Sequence, residues 1–193
     1  MSWRRGLLWV LLALPAALML YQLGVGGAAP MTLYHPTGEL SIRLMVLALL
    51  PGPLAEFFGA GRFLRGWIAI RRNLGVAAFG YGLLHMVIYV LDMQMLAAMI
   101  DELELPSIWV GWLSFFALLV PAAISFDMAM RRLKRRWKQA QMLVYAAFLL
   151  ALVHWLLLGW SWGPALVHLA PLLLAWTLRL LARSGYHWRK LTA

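Results

Sequence analysis

Six long apolar runs, separated by short clusters of Lys and Arg, divide this chain, and that alternation leaves few folds open to it. A helix of about 20 residues crosses a hydrocarbon core about 30 Å thick. Runs of that length lie at about 6–25, 40–58, 74–95, 108–127, 141–159 and 164–182. The sequence is 64% hydrophobic and 12% charged, against about 25% charged residues in a soluble domain. Such a chain cannot cover its apolar surface with polar groups, so lipid must solvate much of it. The expectation is an all-α, polytopic helix bundle with six transmembrane helices, forming one domain over residues 1–193. No linker divides it, and no internal repeat is evident. The second run is the least regular, because Pro51, Gly52, Pro53 and Glu56 interrupt it. A kink or an early end is expected there, with Glu56 near the interface.

The charges orient the bundle. Arg4 and Arg5 precede the first run; Arg62, Arg65, Arg71 and Arg72 lie between the second and third. Arg131, Arg132, Lys134, Arg135, Arg136 and Lys138 lie between the fourth and fifth, and Arg179, Arg183, Arg189 and Lys190 close or follow the sixth. With six spans, 16 of the 17 basic residues fall on one side. Positive loops stay inside, so both termini are expected in the cytoplasm. The loops at about 26–39, 96–107 and 160–163 are expected outside. Arg43 is the exception, with Glu39 one helical turn earlier to pair with it. The opposite loops carry Asp101, Glu102 and Glu104.

A net charge of +10 often points to nucleic acid, but clusters placed between apolar runs encode topology instead. The run RRLKRRWK at 131–138 reads first as a topology determinant and second as a patch for anionic lipid. Tryptophans near span ends, among them Trp67, Trp109, Trp112, Trp160, Trp162 and Trp188, suit an interfacial belt. The absence of cysteine excludes disulfides, thiolate metal sites and iron–sulfur clusters. The segment Gly6 to Leu20 has the flanks of a signal peptide but no convincing cleavage site, and reads as a retained first helix. There is no GxSxG, HExxH, P-loop or GxGxxG, and no paired broken helices of the kind a transporter uses.

Histidines carry what chemistry the sequence offers, since ionisable groups inside spans are costly and tend to be functional. His85 lies about 11 residues into the third run, or ~16 Å of rise, and His154 about 13 residues into the fifth, or ~20 Å. Both runs point the same way, so the two side chains are expected at similar depth. Two neutral imidazoles on two helices can clamp a planar metal cofactor such as haem, and bis-histidine ligation favours electron transfer over oxygen chemistry. Gly75, Gly80 and Gly82 around His85, and Ala147 and Ala151 before His154, would give a macrocycle room. The competing account is that each histidine only hydrogen-bonds across helices. His168, early in the sixth run, is a rival ligand. His35 is expected outside, beside a loop, where it could meet a propionate, a quinol or a docking partner. His187 is expected to be solvated in the cytoplasm.

Three segments together resemble a known family. HPTGEL at 35–40, RRNLGVAAFGYGLLHMVIYVLD at 71–92 and RRWKQAQMLVYAAFLLALVHW at 135–155 are similar to motifs of the ferric-reductase-like transmembrane domain superfamily. Within it they resemble the MsrQ (YedZ) family, the haem-binding membrane subunits of periplasmic methionine-sulfoxide reductases. The likeness covers roughly residues 30–185. It implies a b-type cytochrome with His85 and His154 as axial iron ligands. It implies electrons taken from the quinone pool or a cytoplasmic flavin. They would pass to a periplasmic molybdopterin-containing reductase, in a heterodimer that repairs oxidised methionine. It also implies that FMN can bind. Such a chain is a redox subunit rather than a complete enzyme. A ferric- or quinone-reductase-like cytochrome with another partner remains open, as does a haem-free scaffold or transporter.

One departure matters. The family carries a further histidine thirteen residues before the one matched by His154, where this chain has Gln141. Gln141 lies ~20 Å inward of His154, so a second, inner haem loses its evident ligand and one haem is expected. Arg71 and Arg72 lie at that inner depth and could contact a propionate or a flavin phosphate.

Overall fold

The computed structural model describes residues 3–159 and 162–186. The expectations for His187, Trp160, Trp188, Arg189, Lys190 and much of the loop at 160–163 lie outside these residues. Among the described residues ten α-helices follow one another and no strand occurs. They are α1 (Trp3–Gly24), α2 (Tyr34–Leu49), α3 (Pro51–Phe58), α4 (Arg62–Met93), α5 (Leu96–Asp101), α6 (Pro106–Ala123), α7 (Asp127–Leu133), α8 (Arg135–Gln141), α9 (Leu143–Leu157) and α10 (Trp162–Arg183). Six helical stretches are long and apolar enough to cross a membrane: Arg5–Gly24, Pro30–Phe58, Arg62–Met93, Pro106–Ala123, Arg135–Leu157 and Ala165–Arg183.

Three boundaries differ from the hydropathy reading. The second span begins at Pro30 rather than near residue 40, because a 3₁₀ turn over Pro30–Leu33 leads straight into α2. The third begins at Arg62 rather than near 74. Arg62, Arg65, Arg71 and Arg72 therefore ride on α4 instead of forming a loop. Arginine is a good helix former, and its long stem lets the charge reach water. At 32 residues, α4 is about 48 Å long, so it outruns a hydrocarbon core of about 30 Å. The fifth span is divided at Met142 into α8 and α9.

The expected break at Pro51 is mild, because Leu50 keeps helical dihedrals and α3 continues from α2. Pro51 has no amide hydrogen to offer the Leu47 carbonyl. Trp67 Nε1 donates to that carbonyl instead, at 2.9 Å, which re-satisfies a group that lipid could not. Glu56 accepts from Arg179 at 2.6 Å and 2.9 Å and from Arg183 at 3.4 Å, tying α3 to the end of α10.

The most extensive helix–helix interfaces join α2 to α4 and α6 to α9. Each is closed by one serine. Ser41 Oγ donates to the Ala78 carbonyl and Ser114 Oγ to the Ala147 carbonyl, both at 2.8 Å. Ala78 and Ala147 are wholly buried, because a small residue there lets the paired backbones approach. The two pairs meet one another less closely, and a cleft lies between them. α10 packs on α2, α3 and α9.

α1 stands at the edge, with its main contact on α4. Pro15 interrupts its hydrogen-bond ladder. The Tyr81 hydroxyl accepts from the Ala16 amide at 3.1 Å and donates to the Leu12 carbonyl at 2.8 Å, the two groups one helical hydrogen bond would join. Tyr81→Phe removes this bridge. It is expected to lower stability by about 1–2 kcal/mol, read as a lower thermal midpoint in detergent by circular dichroism. An unchanged midpoint would show that α1 is held by packing alone.

Candidate functional site

His85 sits on α4 and His154 on α9, seven residues after the buried alanine that closes each helix pair. Their ring centres are 6.3 Å apart, with the planes at 80°. The depth inferred from span direction therefore brings together the two side chains that sequence singled out.

Both rings are held through Nδ1. His85 Nδ1 lies 3.0 Å from the Tyr34 carbonyl and 3.2 Å from Thr37 Oγ1. The Thr37 hydroxyl sends its proton to the Leu33 carbonyl at 2.6 Å, so it meets the ring as an acceptor. His154 Nδ1 lies 2.6 Å from the Ser107 carbonyl. A carbonyl can only accept, so in each ring Nδ1 carries the hydrogen and donates. Nε2 is left with its lone pair, the tautomer a metal ligand needs. Two imidazoles bound through Nε2 at about 2 Å on opposite sides of one metal ion have ring centres about 6 Å apart. The observed separation fits that arrangement.

The cleft is open along its edges, and both histidines line it. Gly82, Ala151, Met45, Phe115 and Leu118 give it apolar walls. Two glycines that sequence reasoning passed over set the ring positions. A Cβ on Gly111 would lie 2.7 Å from His154 Nδ1, and one on Gly38 would lie 3.4 Å from His85 Nδ1. Of the glycines expected to make room, Gly82 lines the cleft, whereas a Cβ at Gly75 or Gly80 would meet nothing within 4 Å.

These contacts reveal a repeat that a linear reading missed. In α2 and α4, the Tyr34 carbonyl, Gly38, Ser41, Ala78 and His85 form the support. In α6 and α9, Ser107, Gly111, Ser114, Ala147 and His154 take the same roles in the same order and spacing. The sequence signals are GELS at 38–41 against GWLS at 111–114, and AAFGYGLLH at 77–85 against AAFLLALVH at 146–154. Each is too short to stand out among apolar helices, and only the shared hydrogen bonds show that they are equivalent.

The remaining candidates separate by place. His35 lines the cleft at the end of α2, its Nδ1 3.5 Å from Glu39 Oε2 and its ring 5.5 Å from Trp155. His168, on α10, accepts from Arg43 Nε at 3.2 Å through Nε2, which occupies the nitrogen a ligand would use. It packs on Trp155 outside the cleft lining. Arg43 also donates to Glu39 at 2.6 Å, the pair expected from their spacing. At the far, basic end, Arg72 is paired with Asp127 and holds that carboxyl below the usual carboxylate range. Arg71 lies over Gly52. Gln141 Nε2 donates to the Pro121 carbonyl at 3.0 Å and to Ser125 Oγ at 3.3 Å. Arg71, Arg72 and Gln141 are not among the cleft-lining residues. By the repeat, Arg72 and Gln141 are each thirteen residues before a cleft histidine and stand at equivalent positions.

The fold and the site define a polytopic helical membrane protein with two carbonyl-anchored histidines facing one another across a cleft between spans. The family described as "Ferric reductase like transmembrane component" matches residues 37–152. The heme-binding subunits MsrQ of protein-methionine-sulfoxide reductase from Brucella ovis, Brucella canis and Brucella suis are each 36% identical, over 98% of this chain and 86% of theirs. The chain belongs to the ferric-reductase-like transmembrane family and, within it, to the MsrQ family.

Proposed function

We propose that this protein is a haem b electron-transfer subunit of a bacterial inner membrane, with His85 and His154 as the axial ligands of one haem. The observation that carries this reading is the pair of facing imidazoles, each with Nδ1 spent on a backbone carbonyl and Nε2 left to bind iron. The names of the Brucella relatives, heme-binding subunits of a methionine-sulfoxide reductase, support the cofactor and the partner. Haem so ligated supplies one-electron transfer and leaves no coordination site for substrate. The chain's own residues fix ring orientation, exclude water with apolar walls and keep the helix pairs together.

Electrons arrive from the quinone pool and leave to a periplasmic molybdopterin-containing methionine-sulfoxide reductase. The acidic stretch Asp101, Glu102 and Glu104 faces that partner at the histidine end. The basic end and both termini lie in the cytoplasm, in keeping with the distribution of Lys and Arg. One haem is proposed rather than two. Arg72 and Gln141, which occupy the inner level on the two helices, are engaged with Asp127, Pro121 and Ser125. Arg71 is the residue at that level for a flavin phosphate, should FMN bind.

The test is a dithionite-reduced spectrum of the purified protein with haem quantitation. Sharp α and β bands with one haem per chain are expected. No Soret band after expression with ample haem would refute the reading. Two haems per chain would refute the single-site assignment.

A further inference from the structure

The repeat separates what the scaffold requires from what it does not. The residues that anchor the two histidines are duplicated across it. The two open edges of the cleft are not. Where α4 and α6 meet, the lining residues include Met86, Ile108 and Trp112, with Tyr89 beside Trp112 and its hydroxyl spent on Glu102. Their counterparts where α2 and α9 meet are Trp155, His35 and Glu39. The second edge brings a carboxylate and an imidazole to the cleft where the first brings neither, on a framework that asks for no difference.

The polar edge is also built in depth. Glu39 presents a carboxylate to the cleft, although its side chain is only 17% exposed. Arg43 holds that carboxylate from one side at 2.6 Å, and His168 of α10 lies 3.8 Å from the same oxygen. On the same edge, the Trp155 indole nitrogen is buried and has no hydrogen-bond partner. Trp155 lines the cleft and is 5% exposed. A buried N–H without an acceptor costs about 1–3 kcal/mol, so it signals a group that belongs there.

Carboxylate and indole N–H define the ligand's chemistry. Glu39 calls for a hydroxyl donor, and Trp155 for an oxygen acceptor. A haem propionate does not suit the Glu39 carboxylate, because like charges repel. A neutral ring with hydroxyl groups satisfies both. We propose that the edge formed by His35, Glu39 and Trp155 is the binding site for the hydroquinone head group of a membrane quinol. This rests on the proposed function, which supplies the oxidant, a ferric haem in the cleft. Oxidation of the hydroquinone to the quinone breaks two O–H bonds. Its two electrons would go one at a time to the iron, which would pass the first on to the periplasmic reductase before taking the second. Its two protons go to the Glu39 carboxylate and the His35 imidazole. His35 is 47% exposed and 3.5 Å from Glu39, so it passes both on to water at the histidine end.

The experiment uses the haem-loaded protein in lipid nanodiscs and a fluorescent hydroxyquinoline N-oxide, a quinol analogue that cannot be oxidised. Equilibrium binding is read by fluorescence quenching, and reduction by short-chain quinol or by dithionite is read in the α band. Glu39→Gln is expected to weaken analogue binding about tenfold or more, the loss of one charge-assisted hydrogen bond. It should slow quinol-driven reduction while leaving haem content and the dithionite-reduced spectrum as in wild type. Trp155→Phe should weaken binding several-fold. Unchanged binding and quinol-driven reduction in both variants would overturn the site. Loss of haem in Glu39→Gln would overturn it too, by showing that this edge holds the macrocycle. Absence of haem from the wild-type protein would instead sink the proposed function, which keeps the two failures apart.

Discussion

His154→Ala is expected to abolish the low-spin haem spectrum, and His85→Ala to do the same. Outer-shell partners of a metal ligand are typically worth about 10–100-fold in affinity, and removal of the ligand itself should exceed that. Each variant should retain less than about a tenth of wild-type haem by pyridine haemochrome assay. His168→Ala should retain the spectrum, because its Nε2 already accepts from Arg43 and its ring lies behind Trp155. If His168→Ala alone removes haem, the pairing across the cleft is wrong. A helical fold by circular dichroism in each variant separates ligand loss from unfolding.

Gly111→Ala is the second large effect, and its sign opposes helix propensity. Alanine in place of glycine inside a helix ordinarily adds about 1 kcal/mol of stability. Here the new Cβ would stand 2.7 Å from His154 Nδ1 and 2.9 Å from Cε1. That approach is closer than van der Waals contact allows. The ring must move, and moving it breaks the 2.6 Å bond to the Ser107 carbonyl. A loss of about tenfold or more in haem affinity is expected. The change at the equivalent Gly38 brings Cβ only to 3.4 Å from His85 Nδ1, so Gly38→Ala should shift the spectrum without emptying the site. Gly75→Ala, in open space, should leave haem binding as in wild type. Equal behaviour of Gly111→Ala and Gly75→Ala would show that the glycine does not gauge the ring.

Much of this was legible from residue type and spacing. Hydropathy found six spans, because a lipid-facing helix must be apolar over a length the bilayer sets. It missed where α2 and α4 begin, because Tyr34, His35, Arg62 and Arg65 continue a helix at polarity that hydropathy reads as loop. Histidines at matched depth stood out because such residues are rare inside spans. Their supports did not, because Tyr34 and Ser107 act through backbone carbonyls, which every residue possesses. Gly38 and Gly111 matter by having no side chain, and the GELS and GWLS matches that contain them are too short to single them out from the other glycines.

The chain by itself determined that lipid is its solvent, how many times it spans, and that His85 and His154 share a level. These follow from local quantities, polarity per residue and rise per residue, that accumulate along a helix. Only the tertiary structure decided which ring nitrogen is free, which glycines gauge the rings, and that the polar edge at Glu39 and Trp155 departs from a repeat. Those depend on lateral packing between helices distant in sequence. A residue's side of its own helix constrains that packing, but the neighbours that fill it are chosen by the fold.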